Sequence, residues 1–173
     1  MAGQIDQQDP AALSLAGMLY LRTAIAAAER QDRSTTTTLI AAADRAASQL
    51  GRDADYWQTS FGPTNVQLHR VATSIDLGDV PWVIEHGSRI DASHLPAERS
   101  VAHQIDLARA YSYVARDDDA LAQLLAAEAV APQIVRHSAR VRDTVKSLHR
   151  RARHNAGSSS PLLDLAMRCR AIQ

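Results

Sequence analysis

Apolar residues recur at helical spacing along nearly the whole chain, and several of these runs are closed by a glycine or a proline. In the first run, Leu13, Ala16 and Leu19 are spaced three residues apart, which places them on one helix face. Gly51 and Gly78 each close a later run, where glycine suits the left-handed residue that ends a helix. No stretch has the alternating pattern of a strand, so the sequence predicts an all-α chain.

Composition supports this prediction. Alanine occurs 32 times among 173 residues, whereas Phe, Trp and Tyr together make up 4%. Alanine is the best helix former, and a chain poor in aromatic and β-branched runs has little from which to build a sheet. The length suits a single domain.

Eight helices joined by short turns are predicted, the sixth capped by Asp117 or Asp118. They cover about 10–31, 34–50, 64–77, 80–89, 96–116, 118–131, 133–154 and 161–173. Residues 1–154 form a helical domain in this interpretation, and 155–173 add a Gly/Ser linker and a C-terminal helix of the same domain. That helix carries an apolar face made of Leu162, Leu165, Ala166, Cys169 and Ile172. We therefore expect it to cover the apolar face of the preceding helix.

A repeat identifies the helix pairs. The tetratricopeptide (TPR) pattern needs small residues where paired helices touch, larger residues between them and a proline after the second helix. The best match is Leu107-Ala108-x2-Tyr111 followed by Ala120, Leu124, Ala127 and Pro132. Weaker copies are Val71-Ala72-x2-Ile75 with Gly78-Asp79, where Ser88 does not fit, and Ala24, Ala27, Ile40 and Ala43. We therefore predict a TPR-like α-solenoid of about four helix pairs; the alternative is an irregular helical bundle.

Several longer motifs accompany the repeat. They are Asp55-Tyr56-Trp57, Phe61-Gly62-Pro63-Thr64-Asn65-Val66, His69-Arg70-Val71, Leu77-Gly78-Asp79, Leu95-Pro96-x-Glu98-Arg99, Asp106-Leu107-Ala108-Arg109-Ala110, Asp118-Asp119-Ala120-Leu121 and Ala127-Glu128-x-Val130-Ala131-Pro132. Together they resemble the C-terminal TPR-like region of actinobacterial XRE-type helix-turn-helix transcriptional regulators, over roughly residues 15–154. The resemblance implies a region that senses a signal or dimerises. The chain itself shows no helix-turn-helix, so DNA would be contacted only through a domain outside it.

Charge is balanced overall but not along the chain. Residues 1–135 carry a net charge of −7 and residues 136–173 a net charge of +7, so the halves suit each other, a second copy or an acidic partner. This distribution differs from the basic stripe of a nucleic-acid binder. The run Arg150-Arg151-x-Arg153 is interpreted as a solvated helix face, with phosphate contact as the alternative.

No set of residues indicates catalysis, so we expect no enzymatic activity, no cofactor and no metal. His149 and His154 have no carboxylate beside them, and the Asp117-Asp118-Asp119 run is interpreted as a helix start.

Cys169 is the only cysteine, which favours a reducing compartment. The run from Ala11 to Ala28 is interrupted by Arg22 and is expected to fall short of a membrane span. We therefore expect a cytoplasmic protein without a membrane partner.

A solenoid offers a groove lined by the first helix of each pair. The TPR frame places Val66, His69, Thr73, Asp76 and Leu77 there, then Ala102, Ile105, Arg109, Ser112 and Tyr113, and from the seventh helix Arg136, Ala139, Asp143 and Lys146. Asn amides pair with extended peptide backbone and Arg clamps carboxylates. The predicted groove residues are therefore Asn65, His69, Arg109, Tyr113 and Arg136.

Two functions fit this groove. The first is the sensor or dimerisation domain of a transcriptional regulator that binds a short peptide or a small signal. The second is a stand-alone TPR adaptor that docks a protein without sensing a signal. A second copy of the chain is also a candidate partner.

Overall fold

The computed structural model describes residues 9–154 and 160–172, and these residues are all-helical. Nine α-helices occur within this part of the chain. Their bounds are α1 Pro10–Glu29, α2 Arg33–Leu50, α3 Pro63–Asp76, α4 Val80–His86, α5 Ala97–Tyr113, α6 Asp117–Val130, α7 Pro132–His137, α8 Ala139–His154 and α9 Ser160–Arg168. Single turns of 3₁₀ helix follow α2 and α4, at Tyr56–Gln58 and Gly87–Arg89. The predicted fold class is thus confirmed at the level of an all-α chain.

Helix ends follow local signals in most places. Asp9 caps α1 by accepting a hydrogen bond from the Ala11 N–H (3.0 Å), and Gly51 ends α2 in the left-handed conformation. The prediction of a cap at Asp117 or Asp118 was wrong. Arg116 holds the cap position without a side-chain cap bond, because Asp117 lies inside the first turn.

The connections after α1, α3 and α5 share one backbone geometry. In each, one residue takes a positive φ and the next N–H reaches back to a carbonyl of the last helical turn. The positive-φ residues are Gln31, Gly78 and Ala115. The hydrogen bonds run from Asp32 to Ala27 (3.0 Å), from Asp79 to Ser74 (2.8 Å) and from Arg116 to Tyr111 (2.9 Å). Three helices therefore end with the same device before the next helix begins.

The chain divides into two compact units, Met1–Asp79 with Arg89–Leu95 and Val80–Ser88 with Pro96–Gln173. In the first unit α1 packs along α2, and α3 packs on both. Its core is apolar and rich in alanine. The buried members are Met18, Leu21, Ala24, Ile40, Ala43, Ala46, Ala47, Phe61 and Val66.

The loop before α3 delivers the one phenylalanine of the chain into this core. Phe61 is completely buried, and it lies so close to Gly17 that a Cβ at that position would overlap its ring. Asp55 Oδ1 accepts hydrogen bonds from the Ser60 N–H (2.8 Å) and hydroxyl (3.0 Å). Asp53 Oδ1 accepts from the Thr64 N–H at the start of α3 (3.0 Å). The acidic residues of this loop therefore shape the backbone that inserts the ring.

In the second unit α5 and α6 form the main pair, and α8 packs against both. Ala108 and Ala120, the small residues predicted at the helix contact, are completely buried, as are Leu124 and Ala127. Each of the two helices thus buries its small residues in the unit's core.

One predicted helix is in fact two. The helix expected over 133–154 is broken at Ser138, which is extended (φ −73°, ψ 123°) and separates α7 from α8. The Ser138 hydroxyl accepts a hydrogen bond from the Val141 N–H (3.3 Å), so it caps the start of α8. The predicted linker at 155–159 lies outside the described residues.

Helix α9 packs against α8 within the second unit. Four members of the predicted apolar face are buried, namely Leu162, Leu165, Ala166 and Cys169. Ile172, the fifth, is half-buried and lies beyond the end of the helix. Its end differs from the prediction, since the helix stops at Arg168 and Arg170 turns to a positive φ. The Ala171 N–H then donates to the Ala166 carbonyl (2.8 Å).

Helix α1 requires one further comparison with the sequence. The helix has 20 residues, and its most apolar 18-residue window has a mean hydropathy of 1.5, which is enough to cross a membrane by length and composition alone. Arg22 does not bring it below that level, contrary to expectation. The structure buries 39% of the apolar window, and both a core helix of a soluble protein and a signal sequence near the N-terminus meet the same criterion.

Candidate functional site

A polar cleft lies between α5 and α8 in the second unit. Its volume is about 210 Å³. Helix α5 contributes Arg109, Ser112 and Tyr113, and helix α8 contributes Arg140, Asp143, Thr144, Ser147 and Arg151. All eight side chains carry a hydrogen-bonding group, so the cleft suits a polar ligand.

Arg151 forms the most strongly bound part of the wall. Its Nε and Nη2 donate to the two oxygens of Asp117 (2.9 and 2.6 Å), and Nη2 also donates to the Ser112 hydroxyl (2.9 Å). The hydrogen bonds that Arg151 donates to Asp117 raise the pKa of Arg151 above its usual value. Because Asp117 starts α6, Ser112 lies on α5 and Arg151 on α8, this fork joins three helices.

Asp106 organises a second group of charges near the cleft. It is buried, and its Oδ1 lies 3.1 Å from Arg109 Nη1 and 4.0 Å from Arg140 Nη1. Arg109 is on the same helix, while Arg140 comes from α8. The buried carboxylate therefore holds arginines from both walls.

Three side chains of the cleft lining outside these pairs are accessible to solvent. The Tyr113 side chain is 63% exposed, and Asp143 and Ser147 remain accessible on α8. A phenol, a carboxylate and a hydroxyl can accept or donate hydrogen bonds to peptide amides. These three side chains can therefore bind a polar ligand, while the Arg–Asp pairs hold the two helices on which they lie.

The structure brings together only part of the predicted groove. Arg109 and Tyr113 line the cleft, together with Ser112 and Asp143 from the wider set of frame positions. Arg136 does not line it, because its Nε donates to Glu128 Oε1 (2.8 Å).

Asn65 and His69 are not surface residues, which is a correction to the predicted groove. Asn65 is completely buried, its Nδ2 donating toward Met18 Sδ (3.4 Å). His69 is also buried, with Nδ1 2.9 Å from the Asn65 carbonyl. Helix α3 packs on both α1 and α2, so the face that the TPR frame left open lies in a core.

Sequence reasoning missed most of the α8 wall. Arg151 was grouped with a solvated basic run, and Arg140, Thr144 and Ser147 were not singled out. Arg140, Thr144, Ser147 and Arg151 follow one another at three- and four-residue spacing, which was a usable signal for one helix face. The partner of Arg151 on that face is Asp117, which lies 34 residues earlier in the chain. Local spacing could not predict this pairing.

The residues in the described ranges 9–154 and 160–172 contain no group of three or more His, Cys, Asp or Glu side chains placed to hold a metal ion. Comparisons with protein-family models, curated proteins and solved structures found no match to the chain.

Proposed function

We propose that this chain is the sensing domain of a transcriptional regulator, that it is built on a TPR-like α-solenoid plan, and that it binds a short peptide or small polar signal between α5 and α8. One observation carries the proposal. Arg109, Ser112, Tyr113 and Asp143, all assigned to a groove from the repeat frame, line the same cleft.

The helix-pair geometry supports the TPR-like plan. Ala108, Ala120 and Ala127 occupy the small-residue positions of the repeat and are completely buried. Small residues at these positions let two helix backbones approach closely, which the repeat requires. The packed pairs α1–α2 and α5–α6, each joined by the same turn geometry, support a plan that contains helix pairs.

The lining indicates the chemistry of the ligand. Three arginines line the cleft, and they are matched by Asp143 in the lining and by their partners Asp106 and Asp117. This balanced set of charges suits a peptide, because an arginine can bind its free carboxyl terminus and a carboxylate can accept hydrogen bonds from its N–H groups. Hydroxyls of Ser112 and Ser147 and the phenol of Tyr113 suit backbone amides of an extended peptide. A ligand of a few residues fits a cleft of about 210 Å³.

A cleft-filling substitution tests this site. Peptides with free carboxyl termini would be selected from a display library on the immobilised chain and then titrated calorimetrically. Ser147→Phe places a ring in the cleft, and we expect it to weaken the selected peptides at least about tenfold. Ala122→Phe, at an exposed position of α6, is the matched control and should bind normally. Equal binding by both variants would move the site elsewhere.

The regulatory role has its own test. An in-frame helix-turn-helix encoded upstream of Met1 would support it, with the protein working in the cytoplasm. Recovery of a stable protein partner, with no upstream DNA-binding domain and no small ligand, would instead assign an adaptor role.

A further inference from the structure

A second recess lies along the C-terminal half of α8, away from the residues that line the cleft. It is lined by Lys146, His149, Arg150, Arg153, His154 and Ile172, and its volume is about 400 Å³. Lys146, Arg150 and Arg153 are spaced four and three residues apart, which places three cations on one helix face. No acidic side chain is among the lining residues.

The fold does not use these three cations. Within the described part of the chain, Lys146, Arg150 and Arg153 make neither a hydrogen bond nor an ion pair. Other arginines of the same helix behave differently. Arg151 forms an ion pair with Asp117, and Arg142 Nε donates to the Cys169 carbonyl (3.2 Å). Lys146, Arg150 and Arg153 therefore form a set of charges that the described part of the fold leaves unpaired.

The helix dipole does not account for the cluster. Cations are stabilised at the last turn of a helix, and in α8 the basic residues of that turn are Arg151, Arg153 and His154. Lys146 and Arg150 precede it. Like charges four residues apart also repel each other on a helix. A bound anion would offset this repulsion between exposed cations.

We propose that this basic recess binds a small oligophosphate anion. Linked phosphate groups carry several negative charges in a compact ligand, and each phosphate offers oxygens to a guanidinium fork or an ammonium group. The two arginines and the lysine supply these donors, and Ile172 adds an apolar contact beside them. The site is independent of the cleft between α5 and α8.

Calorimetric titration of the full chain with sodium tripolyphosphate tests the proposal. We expect saturable 1:1 binding that is at least about tenfold tighter than binding of inorganic phosphate, since each charge-assisted contact contributes on the order of one such factor. A triple variant, Lys146→Gln with Arg150→Gln and Arg153→Gln, should lose at least about tenfold in affinity. All three side chains are unpaired, so its circular dichroism and melting should match the wild type.

A control with the same change in net charge separates a site from general attraction. Arg22→Gln, Arg30→Gln and Arg45→Gln together remove three exposed cations from the first unit, and tripolyphosphate affinity should stay within about threefold of wild type. The absence of wild-type binding, or an equal loss in both triple variants, would overturn the proposal. Tighter binding of hexaglutamate or of a short single-stranded oligonucleotide at the same residues would also overturn it, in favour of that polymer.

Discussion

The two compact units are stabilised by different kinds of contact. The first depends on shape, because Phe61 fills the space left by Gly17 in an alanine-rich core. Two of its ion pairs, Arg70–Asp44 and His94–Asp53, are partly exposed. In the second unit, carboxylates that are largely shielded from solvent form ion pairs with arginines of other helices. Glu128 lies 2.8 Å from Arg136 and 2.6 Å from Arg168, and it is 10% exposed.

This difference separates stability from function. An apolar contact such as that of Phe61 stabilises a unit without offering a ligand anything polar. The second unit instead has a charged frame, by which we mean the ion pairs of Asp106, Asp117 and Glu128 with arginines. Such pairs hold helices together and also leave hydrogen-bonding groups beside a cleft. The polar cleft and the basic recess both lie in the second unit, where α8 supplies residues to each.

The largest expected effect is in the first unit. Phe61→Ala should lower the free energy of unfolding by about 3–5 kcal/mol, because it removes a completely buried ring from a close-packed core. Urea unfolding followed by circular dichroism would measure this. Trp57→Ala is the control in the same loop, since Trp57 is 79% exposed, and it should change stability little. Similar losses in both variants would contradict the shape-based core.

A smaller effect is expected from overpacking the α5–α6 pair. Ala108→Leu should destabilise the chain by about 1–3 kcal/mol, because Ala108 is completely buried and has no room for a larger side chain. Ala102→Leu, at an exposed position of the same helix, should leave the melting temperature nearly unchanged. If the two variants melted alike, the register of the predicted repeat would be wrong.

The charged frame is tested by Glu128→Gln, with an expected loss of about 1–2 kcal/mol at neutral pH. Hydrogen bonds from Arg168, and then from Arg136, lower the pKa of Glu128 below its ordinary value of 4.5. The wild-type advantage should therefore be complete above that value and disappear as pH falls through the lower folded-state pKa. Urea unfolding across this range would measure the difference. A difference that stayed constant down to strongly acidic pH would show that the carboxylate charge is not its source.

Helix positions were largely predictable because their signals are local. Asp9 with Pro10 marked the start of α1, and Gly51 and Gly78 marked the ends of α2 and α3. The break at Ser138 was missed, since serine occurs within helices as well as at their caps. For the cleft, the TPR frame predicted the three lining residues of α5. From α8 it predicted only Asp143 of the five residues that line the cleft.

Helical periodicity and turn residues, read from the sequence alone, determined the all-α class and the approximate helix bounds, because each depends on neighbours within a few residues. Tertiary packing decided which polar residues remained accessible. It buried Asn65 by placing α3 against two helices, and it paired Glu128 with Arg168 across 40 residues. Contacts of that range depend on which helix faces meet, and no local pattern specifies this.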